Sequence, residues 1–179
     1  MSAASFPAGF FDRAAPERRG DARLDDAAIA AVRDLYSDLA IDGRVLDLCG
    51  ASDGHFDVPP DELIRYDGDP DDGRFPFEDG AFDDVVCSGT VGSMIRPLET
   101  FAEVARVLRP GGRFVCTFSS RLHAETAIRG WTQTDDAGRV RIVRKYFQLT
   151  QAFGPAESDL RTSLSGTGDR LWAVWAKRA

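Results

Sequence analysis

Cysteine and histidine are scarce in this chain of 179 residues, which holds three Cys and two His. Cys49, Cys87 and Cys116 are odd in number and form no CxxC pair, so the sequence offers no disulfide or zinc framework. Each sits in or at the end of an apolar, strand-like run and reads as a small buried hydrophobe in a reducing compartment. Long apolar runs are missing too. No segment could span a bilayer, and the N-terminus has no signal-peptide core, so a cytoplasmic protein without a membrane partner is expected. Positive charge is in deficit. With 22 Lys and Arg against 29 Asp and Glu the net charge is −7, which repels phosphate backbones and argues against a nucleic-acid partner. Two local basic clusters, Arg106, Arg109 and Arg113, then Arg139, Arg141, Arg144 and Lys145, read as solvated faces. Internal repeats and low-complexity stretches are absent. Hydrophobic residues make up 43% and charged residues 28%, which suits one soluble globular domain.

What is present centres on the stretch from Gly43 to Phe56. Val45-Leu46 and Leu48 form a short apolar run that ends in small residues and glycines. A buried parallel strand runs into a backbone turn in this way, and ligands of open α/β sheets collect at such strand ends. Leu63 to Asp67 reads as a second strand ending in a carboxylate, about 20 residues after the turn, the spacing at which an acid meets a ribose hydroxyl. The expectation is a nucleoside-binding α/β domain.

Residues 1–24 form an N-terminal arm broken by Pro7 and Pro16. Its Phe6, Phe10 and Phe11 either cover an apolar patch or close a lid over a ligand. The domain proper spans 25–179. Asp25-Asp26 open a helix whose apolar face is Ile29, Val32, Tyr36 and Leu39. Pro59-Pro60 leaves room for little helix after the glycine turn. The polar loop Gly68 to Gly73 carries no helical pattern, and Ala81 to Ser88 reads as a buried strand. Leu98, Phe101, Ala102, Ala105 and Leu108 make an amphipathic helix that Pro110-Gly111-Gly112 stops, and Arg113 to Phe118 is the next strand. A short helix over Ala124 to Trp131 and a longer one through Val140, Val143, Tyr146, Phe147 and Thr150 follow. Two strands around the glycine turn 165–168 then close the chain as an antiparallel hairpin.

Two runs are more specific than the glycine turn. They are Phe75-Pro76-Phe77-Glu78-Asp79-Gly80-Ala81-Phe82-Asp83 and Glu103-Val104-Ala105-Arg106-Val107-Leu108-Arg109-Pro110-Gly111-Gly112. With Val45-Leu46-Asp47-Leu48 and Asp67 they resemble the class I S-adenosylmethionine-dependent methyltransferases, most closely the type 11 branch, over residues 25 to 120. The chain looks like a small, trimmed member. Cys49 and Ala51 stand where that family has glycines, and its third strand is missing between Asp67 and the Pro-Phe run.

The resemblance implies a Rossmann-like sheet, mostly parallel with an antiparallel C-terminal hairpin, and S-adenosyl-L-methionine as cofactor. It places Asp47, Gly50, Ala51, Ser52 and Gly54 under the cofactor's amino-acid part, where small residues let the backbone approach. It places Asp67 on the ribose, Asp71 or Asp72 near the adenine amino group with Phe75 or Phe77 over the ring, and Ser88 and Gly89 near the methyl group. His55 and His123 are candidate proton acceptors, and neither is singled out. The implied activity is methyl transfer to a small-molecule acceptor, in a pocket lined by the arm, by residues after Ser119 and by Trp131. The alternative is an inactive, methyltransferase-like binding module, dimerising through the shortened sheet edge.

Overall fold

The computed structural model describes residues 6–14, 24–48, 54–121, 125–162 and 168–179. The six strands are β1 (Arg44–Asp47), β2 (Glu62–Arg65), β3 (Phe82–Ser88), β4 (Leu108–Ser119), β5 (Glu157–Leu160) and β6 (Leu171–Lys177). They form one sheet in the order β2-β1-β3-β4-β6-β5. The first four are parallel, and β6 runs antiparallel to both β4 and β5. The Rossmann-like sheet with an antiparallel C-terminal pair is therefore present. The third strand of the family pattern is not, because residues 66–81 carry no strand and β2 is the sheet edge.

The central strands β1, β3, β4 and β6 bury both faces, as near-continuous apolar runs require, while the edge strands β2 and β5 are half-exposed. Val45, Val86, Val115, Leu171 and Ala173 meet helix α1 (Asp26–Asp38) on one side. Leu46, Val85, Phe114, Cys116 and Val174 meet helices α2 (Pro97–Val107) and α4 (Asp136–Thr150) on the other. Asp25 caps α1 by accepting from the Ala28 amide at 2.8 Å. Its second oxygen accepts from the Asp169 amide at 3.0 Å and so ties the helix to the chain entering β6. These amide bonds hold the Asp25 carboxyl below its ordinary pKa.

Four expectations need correcting. The buried stripe of α1 is Ala28, Ala31, Val32, Leu35 and Tyr36, rotated from the face read in the sequence, because the two alanines allow close approach to the sheet. Pro110-Gly111-Gly112 does not separate helix from strand. α2 stops at Val107 and β4 begins at Leu108, so the three residues lie inside the strand, where the register against β3 shifts. Gly112 is there because a Cβ would sit 2.4 Å from the Asp83 carbonyl oxygen. The helix expected from Ala124 shrinks to α3 (Arg129–Thr132).

Finally, two arginines of the basic clusters are not solvated. Arg139 is buried and donates to the Ser120 carbonyl at 3.2 Å. Arg106 donates to the Phe77 carbonyl at 2.8 Å, to the Phe75 carbonyl at 3.1 Å and to Asp79 at 2.7 Å. Its Nε donates to both Glu103 oxygens at 3.0 Å, and Glu103 in turn accepts from the Phe75 amide at 2.8 Å. The two runs that carried the family resemblance thus hold each other: one supplies the Glu-Arg pair, the other the backbone groups that the pair satisfies.

Candidate functional site

The carboxyl ends of β1, β2 and β3 lie side by side. Asp47 ends β1, opposite Val86 of β3 and Arg65 of β2. The Tyr66 amide donates to the Asp47 carbonyl at 2.9 Å, which brings Asp67 next to the end of β1. The Leu48 amide donates to the Val86 carbonyl at 3.0 Å, and the Gly89 amide to the Thr117 carbonyl at 2.8 Å. Asp47, Asp67, Ser88 and Gly89 thus come from the ends of three strands to one edge of the sheet. Asp47 is buried, whereas Asp67 is exposed and open to a ligand. The Ser88 hydroxyl is buried and accepts from the Thr117 hydroxyl at 2.9 Å. Gly89 and Gly54 both have positive φ, +83° and +81°. The Gly54 carbonyl accepts from Arg33 of α1, which anchors the end of the glycine turn. Gly50, Ala51 and Ser52 lie outside the described residues, as does His123. His55 is buried at 4% exposure.

The residues read for the adenine end are placed differently. Asp71 sits in a one-turn 3₁₀ helix, Pro70–Asp72, with both oxygens engaged. One accepts from the Ile95 amide at 3.0 Å and the other from the Arg96 amide at 2.8 Å. Thr100 donates to the Pro70 carbonyl at 2.9 Å and adds a second tie to α2. Burial pushes the Asp71 carboxyl up in pKa, against the two amide bonds that favour its charge. Asp71 is therefore a bracket that holds the entry of α2 to the loop after β2. Phe75 is 1% exposed and packs in the core, its ring 4.9 Å from that of Tyr66. Asp72 is exposed.

The bracket has a measurable consequence. Asp71→Asn replaces one acceptor with a donor that faces a backbone N–H, so unfolding in urea should show a loss of about 1–3 kcal/mol. Asp72→Asn, on an exposed side chain, should stay within about 0.5 kcal/mol of the parent.

A small cavity of about 30 Å³ opens beside Gly89, between the ends of β3 and β4 and helix α3. Its walls include Gly92, Ser93, Phe118, Ser119 and Trp131. Gly92 and Ser93 escaped the sequence reading. They belong to a second 3₁₀ turn, Val91–Ser93, and no local pattern marks them.

Residues 58–116 match the family model for a methyltransferase domain. Solved structures supply the second comparison. One is a possible histamine N-methyltransferase from Thermotoga maritima, with a TM-score of 0.58 at 14% identity over 86% of this chain and 90% of that one. Another is the 1,6-didemethyltoxoflavin-N1-methyltransferase of Burkholderia thailandensis, with a TM-score of 0.57 at 16% identity over 87% and 80%. This chain has the class I methyltransferase fold. A cyclase, SpnF, shares it with a TM-score of 0.59 at 14% identity over 90% of this chain and 84% of that one, so the fold alone does not name a reaction. No curated protein matches in sequence. Within the methyltransferase fold the matched segment runs from just before β2 through most of β4. It includes Asp67, Asp71, Ser88, Gly89, Glu103 and Arg106.

Proposed function

We propose that the chain binds S-adenosylmethionine at the carboxyl ends of β1, β2 and β3 and transfers its methyl group to a small-molecule acceptor. The observation that carries this reading is the convergence of Asp47, exposed Asp67, Ser88 and Gly89 at that edge, inside a fold whose relatives are methyltransferases. The toxoflavin-precursor enzyme holds S-adenosylhomocysteine and its small acceptor, which supports the same pairing here.

The residues fit part of the cofactor well. A carboxylate such as Asp67 can accept both hydroxyls of a ribose, a bidentate contact with strong geometric preference. Gly54 and Gly89, both at positive φ, and buried Asp47 would face the amino-acid part and the sulfonium, where the missing side chains permit close backbone approach. At the adenine end Asp71 is already committed to Ile95 and Arg96 and Phe75 to the core, so the base would rest on other groups. When bound, the cofactor supplies an activated methyl on a positively charged sulfur. The acceptor's lone pair would form the new bond to carbon as the C–S electron pair returned to sulfur, with the acceptor's proton passing to solvent. The protein's part is mainly to position the two reactants. Gly89 lines the cavity and follows the end of β3, so it would let cofactor and acceptor approach to reacting distance.

The missing third strand and the committed Asp71 favour a second reading, a methyltransferase-like binding module without catalysis. Calorimetric titration separates the two. The enzyme reading expects S-adenosylmethionine and S-adenosylhomocysteine to bind with dissociation constants on the order of micromolar. No heat of binding at millimolar ligand would rule it out.

A further inference from the structure

The cavity beside Gly89 has one wall that can yield. Phe118 is fixed in β4, whereas Trp131 stands on α3, a helix of four residues. The two rings meet edge to face with centroids 4.9 Å apart. Trp131 lies against the backbone of Gly92 so closely that a Cβ there would be 2.6 Å from its ring. At about 30 Å³ the cavity has room for water but not for an organic acceptor, and of its two ring walls Trp131 stands on the shorter element.

Arg139 of α4 holds Trp131 from behind, its guanidinium 5.7 Å from the indole centroid, and the N-terminal arm holds α3 from outside. The Arg129 amide donates to the Asp12 carbonyl at 2.7 Å, and the Gly130 amide to the Phe10 carbonyl at 2.9 Å. Arg13 pairs with Ile128 as an antiparallel bridge, and its guanidinium donates to the Ser93 carbonyl at 3.1 Å. Phe10 covers Gly130 so tightly that a Cβ on Gly130 would be 2.2 Å from its ring. The arm itself is seated by Phe6 and Phe11, whose rings lie 5.7 Å and 6.3 Å from that of buried Tyr146. The residue that walls the cavity is thus clamped from outside by residues 10–13.

The wall chemistry points to the ligand class. Phe118 and Trp131 supply aromatic surface, and the hydroxyl-bearing residues of the wall, Ser93 and Ser119, are neutral, the Ser93 hydroxyl donating to the Thr90 carbonyl at 2.8 Å and so left to accept. The cavity's one charged residue among those described, Arg121, already lies 3.0 Å from a carboxylate oxygen of Asp169. A charged acceptor would find no free counter-ion there, whereas a flat ring with one hydroxyl would be satisfied. Resting on the methyl-transfer reading, we infer that the acceptor is a flat, uncharged, single-ring compound that displaces Trp131, and that the arm's clamp on α3 sets how tightly it binds.

The test uses the full chain labelled with 5-fluorotryptophan, its three tryptophan resonances assigned by single Trp→Phe variants and followed by ¹⁹F NMR. Phenol should shift the Trp131 resonance saturably, while cyclohexanol and benzoate at the same concentration leave it in place. Phe10→Ala removes the clamp's ring from Gly130 and leaves the sequence of α3 unchanged. Loosening the clamp raises the open fraction, so phenol should saturate at about threefold lower concentration. An equal response to cyclohexanol or benzoate, or no movement of Trp131, overturns the ligand class. An unchanged phenol midpoint in Phe10→Ala overturns the role of the arm. Titrating the same sample with S-adenosylhomocysteine keeps the two readings apart. Failure of that ligand with phenol still bound sinks the methyl-transfer reading, and the reverse sinks the pocket.

Discussion

Arg106→Leu should destabilise the protein by about 3 kcal/mol, because it strands a largely buried carboxylate and two carbonyls at once. For a domain of this size that is a fall in Tm of roughly 6–12 °C. Arg106 is the shared partner of Glu103, Asp79 and the carbonyls of Phe75 and Phe77, and both Arg106 and Glu103 are largely buried, at 16% and 15% side-chain exposure. Asp79→Ala is the control. Asp79 is 74% exposed, and solvent screens its ion pair, so its loss should cost far less than that of Arg106. The effect should also depend on pH. Burial pushes the Glu103 carboxyl up, but the Arg106 and Phe75 hydrogen bonds outweigh it and hold the carboxyl below its ordinary value of 4.5. A lowered folded pKa contributes stability that is present above the unfolded value and is lost as pH falls through the folded one. The gap between wild type and Arg106→Leu should therefore narrow as the solution is acidified below 4.5, the ordinary Glu value. Thermal unfolding of both proteins across the acid range measures it. A gap that holds constant would place the energy elsewhere.

Asp67→Ala should do the opposite: leave the fold intact and remove the ligand. Asp67 is exposed just past the end of β2, and exposed substitutions of this kind change stability by no more than about 0.5 kcal/mol. Hydrogen bonds to a carboxylate contribute about 1.5–3 kcal/mol, so losing the ribose contact should raise the dissociation constant for S-adenosylmethionine roughly 10- to 100-fold. Asp67→Asn keeps one acceptor and should fall between the two. Calorimetry with unchanged unfolding midpoints is the readout. Wild-type affinity in Asp67→Ala would move the ribose to another residue.

These two side chains also mark what was legible in the sequence. The position of Asp67 just past a strand end could be read directly, because a short apolar run ending in an acid is a local pattern. The parallel strands and the closing antiparallel pair were legible for the same reason: Val45-Leu46, Val85-Val86 and Leu171 to Ala176 are apolar at strand length. The missing third strand could be read from the polar loop Gly68 to Gly73. Arg106 was not legible. A cation on a helix reads as a solvated face, and its partners Phe75 and Phe77 lie about thirty residues away in sequence. Asp71 looked like a ligand acid because its partners, the amides of Ile95 and Arg96, are backbone groups that no residue type announces. Pro110-Gly111-Gly112 has the composition of a helix stop. Only the packed sheet shows that Gly112 is there to clear the Asp83 carbonyl. Gly92 likewise has its meaning only through Trp131, which reaches it from a distant segment.

The measurement that bears most directly on the central claim is a crystal structure with S-adenosylhomocysteine bound. The ribose hydroxyls should lie within hydrogen-bond distance of the Asp67 carboxylate, with the amino-acid part beside Asp47 and Gly54 and the sulfur facing Gly89. A ligand bound elsewhere, or one whose ribose does not touch Asp67, would contradict it.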